Sequence, residues 1–183
     1  METVKIISGN PGSGKTSLAG RLALEKTRGV HMVTDLFYRF LARRIDPSTP
    51  EAHSQNQTVI RAFARAASAF AEEGYDVYLD GIVGPWMLPV LASEVSGRGL
   101  EIDYVILRTD LETALARTEA RAGQGSAAPK VVAKMHREFS DLGPYKAHVL
   151  VTTGRSLDDI AAEYKRRLAA GALRLQMPLG GEK

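Results

Sequence analysis

Eight consecutive residues constrain this chain more than any other feature: Gly9-Asn10-Pro11-Gly12-Ser13-Gly14-Lys15-Thr16 fits the pattern G-x-x-x-x-G-K-[ST] at every position. The spacing has a physical basis. Glycines let the backbone wrap closely around a phosphate and present amide hydrogens that a bulkier residue would block. A lysine at position 15 reaches the β- and γ-phosphates, and the hydroxyl of Thr16 ligates Mg²⁺. Ser17 follows in the first turn of a helix whose positive dipole end adds to the site. The context agrees as well. The short β-branched run Val4-Lys5-Ile6-Ile7 precedes the loop, and a helical pattern from Leu18 to Lys26 follows it.

The rest of the chain alternates between short apolar runs and helical periodicity. Strands are expected at Val30–Thr34, Val77–Leu79, Ile102–Leu107 and His148–Thr152. Helices are expected at Leu36–Arg44, Gln55–Glu73, Pro85–Ser96, Val131–Phe139 and from Ser156 onward. Thr109-Asp110-Leu111-Glu112 has the form of a capping box and predicts a helix running to about Ala122. Five strands separated by helices require crossover connections, which implies a mostly parallel sheet with helices on both faces. One α/β domain over residues 1–172 is the expectation, with a frayed tail at 173–183.

Composition narrows the function classes. The 183 residues contain no cysteine, which removes disulfides, thiolate metal sites and cysteine nucleophiles. No apolar run approaches the roughly 20 residues of a membrane-spanning helix. The amino terminus lacks a basic stretch leading into a secretory apolar core. A soluble, cytoplasmic protein is therefore expected. The 24 basic and 21 acidic residues leave a net charge of +3, with the cations spread along the chain. A nucleic-acid surface would cluster them with aromatic platforms, so nucleic acid is not expected as a partner. The sequence is silent on oligomeric state.

Nucleotide binding does not by itself define an activity. A regulatory GTPase needs Asn-Lys-x-Asp for base recognition, yet the chain's two asparagines, Asn10 and Asn56, are not followed by lysine. Asp80-Gly81-Ile82-Val83 also departs from the Asp-x-x-Gly switch pattern. A compact phosphotransferase remains. Asp35 lies at the carboxyl end of the second strand, the edge where open α/β sheets bind ligands, and a carboxylate there can accept or orient an acceptor hydroxyl. It could equally cap the helix beginning near Leu36. Asp80 ends the third strand, where a metal-water or acceptor contact competes with a plain Asp-Gly turn. Arg117 and Arg121 are four apart and share a helix face beside Gly123-Gln124-Gly125-Ser126, which suits a lid at about 117–137. A solvated charged face is the alternative. Arg39 and Arg43 could meet an anionic acceptor, and Trp86 could shape its pocket or simply pack. The four histidines lack metal-ligand spacing and receive no site.

The loop at 9–16, Asp35, Asp80-Gly81 and the arginine-bearing helix resemble the small-molecule P-loop kinases. That group includes chloramphenicol phosphotransferase-like proteins, gluconate and shikimate kinases and, more distantly, nucleoside monophosphate kinases. Asp80-Gly81-Ile82-Val83-Gly84-Pro85-Trp86 and Phe139-Ser140-Asp141-Leu142-Gly143 are most similar to the first of these. The resemblance implies the three-layer P-loop NTPase fold with strand order 2-3-1-4-5, and ATP with Mg²⁺. It also implies an acceptor segment at about 36–57 and an adenine contact near Gly154-Arg155. The catalytic candidates are then Lys15, Asp35, Arg117 and Arg121; Asp80, Gly81, Arg39 and Trp86 face the acceptor, and Thr16 and Asp80 the metal. The expected activity is transfer of the γ-phosphate to a small-molecule hydroxyl. A nucleoside monophosphate acceptor, or a nucleotide-dependent regulatory protein, stays open.

Overall fold

The computed structural model describes residues 2–121 and 127–176. The chain begins with β1 (Thr3–Gly9), α1 (Lys15–Leu24), β2 (Gly29–Val33) and α2 (Thr34–Tyr38). It continues through α3 (His53–Glu72), β3 (Asp76–Gly81), α4 (Leu88–Ser96), β4 (Glu101–Arg108), α5 (Leu111–Glu119) and α6 (Pro129–Glu138). It closes with β5 (Val149–Val151) and α7 (Leu157–Ala169). The five strands form one sheet in the order β2-β3-β1-β4-β5, and every pairing between them is parallel. This is the expected three-layer P-loop NTPase fold.

Both faces of the sheet are covered, because β1 alternates its side chains between two cores. Val4 and Ile6 join Val77, Leu79, Ile102 and Ile106 beneath α3 and α4. Ile7 joins Tyr78, Val105 and Leu107 beneath α1 and α7. The carboxyl ends of all five strands therefore open onto one edge, where the phosphate loop emerges from β1.

Three local expectations change. The helix expected over Leu36–Arg44 ends at Tyr38. Two amide side chains of α3 hold the following chain in place instead. Gln55 bonds both the N–H (2.9 Å) and the carbonyl (3.0 Å) of Ile45, and Asn56 donates to the Pro47 carbonyl at 2.9 Å. Those backbone groups are satisfied without a helix. The cap of α5 is Asp110, one residue beyond Thr109: its carboxylate accepts from the Thr113 N–H at 2.7 Å and the Thr113 hydroxyl at 2.8 Å. Thr109 is engaged elsewhere, with its hydroxyl 3.2 Å from that of Thr153.

The third change concerns the carboxyl-terminal segment, expected to fray from Leu173. Leu173 and Leu175 are buried, one in each core. β5 pairs only with Ile106–Arg108, which leaves the earlier edge of β4 open. The chain after α7 fills it antiparallel: Tyr104 N–H donates to the Leu173 carbonyl and Leu175 N–H to the Ile102 carbonyl, both at 2.8 Å. Arg174 reaches the buried carboxylate of Asp103 at 2.9 Å. An unpaired strand edge and an unpaired buried acid are both costly, and this short strap removes both.

Candidate active site

The phosphate loop takes its shape from three glycines with positive φ, namely Gly9 (144°), Gly12 (81°) and Gly14 (97°). Two of them also allow close approach. A Cβ on Gly9 would lie 2.2 Å from the Leu107 carbonyl oxygen, and one on Gly12 would lie 2.6 Å from that of Ala114. The loop thus lies flush against β4 and α5. Thr152, at the end of β5, adds a brace by donating its hydroxyl to the Ser13 carbonyl at 3.1 Å. Sequence reasoning had no signal for that tie.

Lys15 folds back over the loop and donates to the Asn10 carbonyl at 3.0 Å. Burial pushes its pKa below the ordinary lysine value; the carboxylates of Asp80 and Asp35 act against this, and Arg121 adds to it. The two acids singled out from strand ends are therefore the groups that oppose the effect of burial on the loop lysine. Thr16 and Ser17 are exposed in the first turn of α1.

Asp80 is almost wholly buried, inside β3 rather than in a turn. Its Oδ2 has no hydrogen-bond partner. Gly81 is explained by packing: Thr34 donates its hydroxyl to the Asp80 carbonyl at 2.9 Å, and a Cβ at position 81 would sit 1.9 Å from that hydroxyl oxygen. Asp35 is exposed in the first turn of α2. It does not cap that helix, whose cap position is Val33, and it makes no side-chain hydrogen bond among the described residues. Its carboxylate is free to act.

The loop after β3 is clamped from beneath. The Ser8 hydroxyl both donates to the Val83 carbonyl (2.8 Å) and accepts from the Val83 N–H (3.0 Å), while the Tyr104 hydroxyl donates to the same carbonyl at 2.6 Å. Tyr104 lies in a strand that reads as plain core and Ser8 just past the run Val4–Ile7, so the sequence concealed this function. Trp86 lies over Gly84, where an added Cβ would meet the indole at 2.3 Å, and it packs edge-on against Phe139 at 5.3 Å. It remains 44% exposed. Arg39 is exposed and unpaired among the described residues.

On the other side of the loop, Arg117 donates to the Gly12 carbonyl at 3.2 Å. Ala114 and Thr118 form the buried stripe of α5. Arg117, Arg121 and Arg155 line one cleft of about 140 Å³ with Ser13, Gly14, Ser17, Leu157 and Ile160. Arg155 is steadied by bonds to the carbonyls of Val151 (3.3 Å) and Asp159 (3.0 Å). The glycine-rich hinge at 123–126 lies outside the described residues. A larger depression of about 360 Å³, lined by Ser96, Glu101 and Arg174, sits at the opposite end of β4, away from the ligand edge.

Buried polar side-chain atoms without partners gather at this site. Asn10 Oδ1, Ser13 Oγ, His31 Nε2 and Asp80 Oδ2 surround the loop, and only Tyr164 Oη lies elsewhere among the described residues. Such atoms are costly unless something else satisfies them. The donor set also fits magnesium. A hydroxyl and one buried carboxylate are hard oxygen donors, and Mg²⁺ keeps several waters and takes few protein ligands. Among the described residues no cluster of three His, Cys, Asp or Glu forms a metal cage.

Loop and sheet order define a P-loop nucleotide-binding fold. The AAA domain family profile matches residues 4–142, and the chain belongs to that family. A sugar kinase from Janibacter sp. HTCC2649 superposes with a TM-score of 0.72 at 19% identity, covering 96% of this chain and 99% of its own. The Mycobacterium tuberculosis APS kinase CysC, solved with AMPPNP and APS, gives 0.66 at 20% identity over 92% and 98%. A gluconokinase from Sinorhizobium meliloti 1021 gives 0.63 at 15% identity over 93% and 94%. No curated protein matches the sequence. Among the described residues no helix is long and apolar enough to cross a membrane.

Proposed function

We propose that the protein is an ATP-dependent phosphotransferase that moves the γ-phosphate to a hydroxyl of a small-molecule acceptor. The observation that carries this reading is the pair of carboxylates at the ligand edge of the sheet: Asp80 buried in β3 and Asp35 exposed, without a hydrogen bond among the described residues, just after β2. A protein that only binds nucleotide has no use for the second. The sugar kinase, APS kinase and gluconokinase folds support the same class.

The loop amides and Lys15 bind the β- and γ-phosphates. Thr16 and Asp80 would hold Mg²⁺, which would supply charge neutralisation to the phosphates. Asp35 orients the acceptor hydroxyl and takes its proton as the oxygen bonds to the γ-phosphorus. The bond from that phosphorus to the bridging oxygen breaks, and ADP leaves. Arg117 and Arg121 offset charge on the transferring group from the lid side, while Arg155 borders the base. The acceptor lies between Asp35, Arg39 and Trp86.

Labelled ATP offered with sugars, aminoglycoside- and phenicol-type alcohols and all nucleoside monophosphates tests the reading. One acceptor class is expected to gain the label. Asp35→Asn is expected to slow transfer by about 10²–10⁴-fold, the usual contribution of a positioned base, with ATP affinity unchanged. Lys15-dependent ATP binding with no acceptor labelled, or unchanged transfer by Asp35→Asn, overturns it. Labelled nucleoside monophosphates alone would redirect the acceptor assignment.

A further inference from the structure

A histidine without metal-ligand spacing in the sequence occupies the back of this site. His31 and Asp80 lie on neighbouring strands, where the register pairs His31 with Tyr78 and Val33 with Asp80. Side chains two apart share a face, so both point toward α1. His31 Nε2 lies 3.6 Å from Asp80 Oδ2. Each atom is buried and each lacks a hydrogen-bond partner. Two complementary orphans facing one another is an unstable arrangement unless they meet, and closing to about 3 Å would satisfy both. Active-site hydrogen bonds are commonly long before the ligand arrives and tighten in the complex.

Helix α1 makes room for the ring. Gly20 has no side chain, and a Cβ there would already be 3.4 Å from His31 Nδ1. Gly20 is one helical turn beyond Thr16, on the same face. The helix that offers the Thr16 hydroxyl to the metal therefore also backs the imidazole that faces Asp80.

We infer that His31 is a positioning residue for Asp80, its imidazole donating from Nε2–H to Oδ2 and holding the carboxylate in one orientation toward the loop. A carboxylate rotates over a broad, two-fold torsion when nothing fixes it. A donor on one oxygen removes that freedom and leaves the other oxygen aimed at the loop. The inference rests on the proposed role of Asp80 toward magnesium.

Titration calorimetry of ADP, with and without Mg²⁺, separates the two claims. Asp80→Asn is expected to abolish the gain in affinity that magnesium brings. His31→Phe keeps the ring volume and loses the donor. It is expected to cut that gain by about 10-fold, the lower end for outer-sphere partners, with magnesium-free affinity unchanged. His31→Gln, which restores an N–H donor, is expected to recover most of the loss. Nitrogen NMR of the wild-type Mg·ADP complex is expected to show the proton on Nε2 and decides the matter even if His31→Phe does not fold. Wild-type magnesium dependence in His31→Phe, or an Nδ1–H tautomer, overturns the inference while leaving Asp80 in place. Wild-type magnesium dependence in Asp80→Asn overturns the metal reading itself.

Discussion

Lys15 is a cation kept where cations are disfavoured, with burial lowering its pKa against the opposing influence of Asp80 and Asp35. Arriving phosphates reverse that balance, since an adjacent negative charge favours the ammonium. The sign follows directly. The free protein binds fewer protons at position 15 than the complex does, so nucleotide binding takes up protons as the pH rises toward the lowered pKa. Calorimetry in alkaline buffers of different ionisation heat is expected to show this uptake in the wild type and not in Lys15→Ala. Equal proton uptake by both would disprove it. The motif identifies Lys15 from sequence; its shift is set by burial in the folded chain and opposed by Asp35 and Asp80, 20 and 65 residues away.

At the level of elements, α5 shows how a neighbouring residue can displace an expected cap. Thr109 and Asp110 both suit the position, and the Asp110 carboxylate takes it with two bonds to Thr113. Those bonds depress its pKa to about 2. A depressed carboxylate contributes stability that is present above its unfolded pKa, near 4, and is lost as the pH falls through about 2. Thermal melts are expected to show Asp110→Ala below the wild type at pH 7, with the gap shrinking between about pH 4 and about pH 2. A gap that stays constant across this range would rule out the cap as its source. The same helix presses on Gly12 and carries Arg117 to the loop, so the cap also sets the entry angle of a site residue.

At the level of the whole molecule, the two cores are joined at their margin by the strap after α7. Leu173→Ala removes a fully buried side chain and is expected to cost about 2–5 kcal/mol in denaturant unfolding, the usual range for a core Leu→Ala. The strap lies at the amino-terminal end of β4, away from the loop edge, so ADP affinity at 25 °C is expected to stay unchanged. A parallel loss of affinity would mean that the strap and the site are coupled.

The sequence by itself determined the strand-loop-helix unit around the phosphate loop, the alternation of strands and helices and the positions of Lys15, Thr16, Asp35 and Asp80. Each of these is local, set by side-chain period and by backbone conformations that only a few residue types tolerate. Tertiary structure decided the rest. The early end of α2 depends on Gln55 and Asn56 reaching back from α3, and the strap depends on an open edge of β4 that appears only once β5 is seen to be short. Ser8, Tyr104 and His31 read as ordinary strand residues until the sheet order brings them to the loops and acid they serve. A hydrogen-bond partner in a distant segment leaves no mark on residue spacing; it exists only when the chain closes on itself.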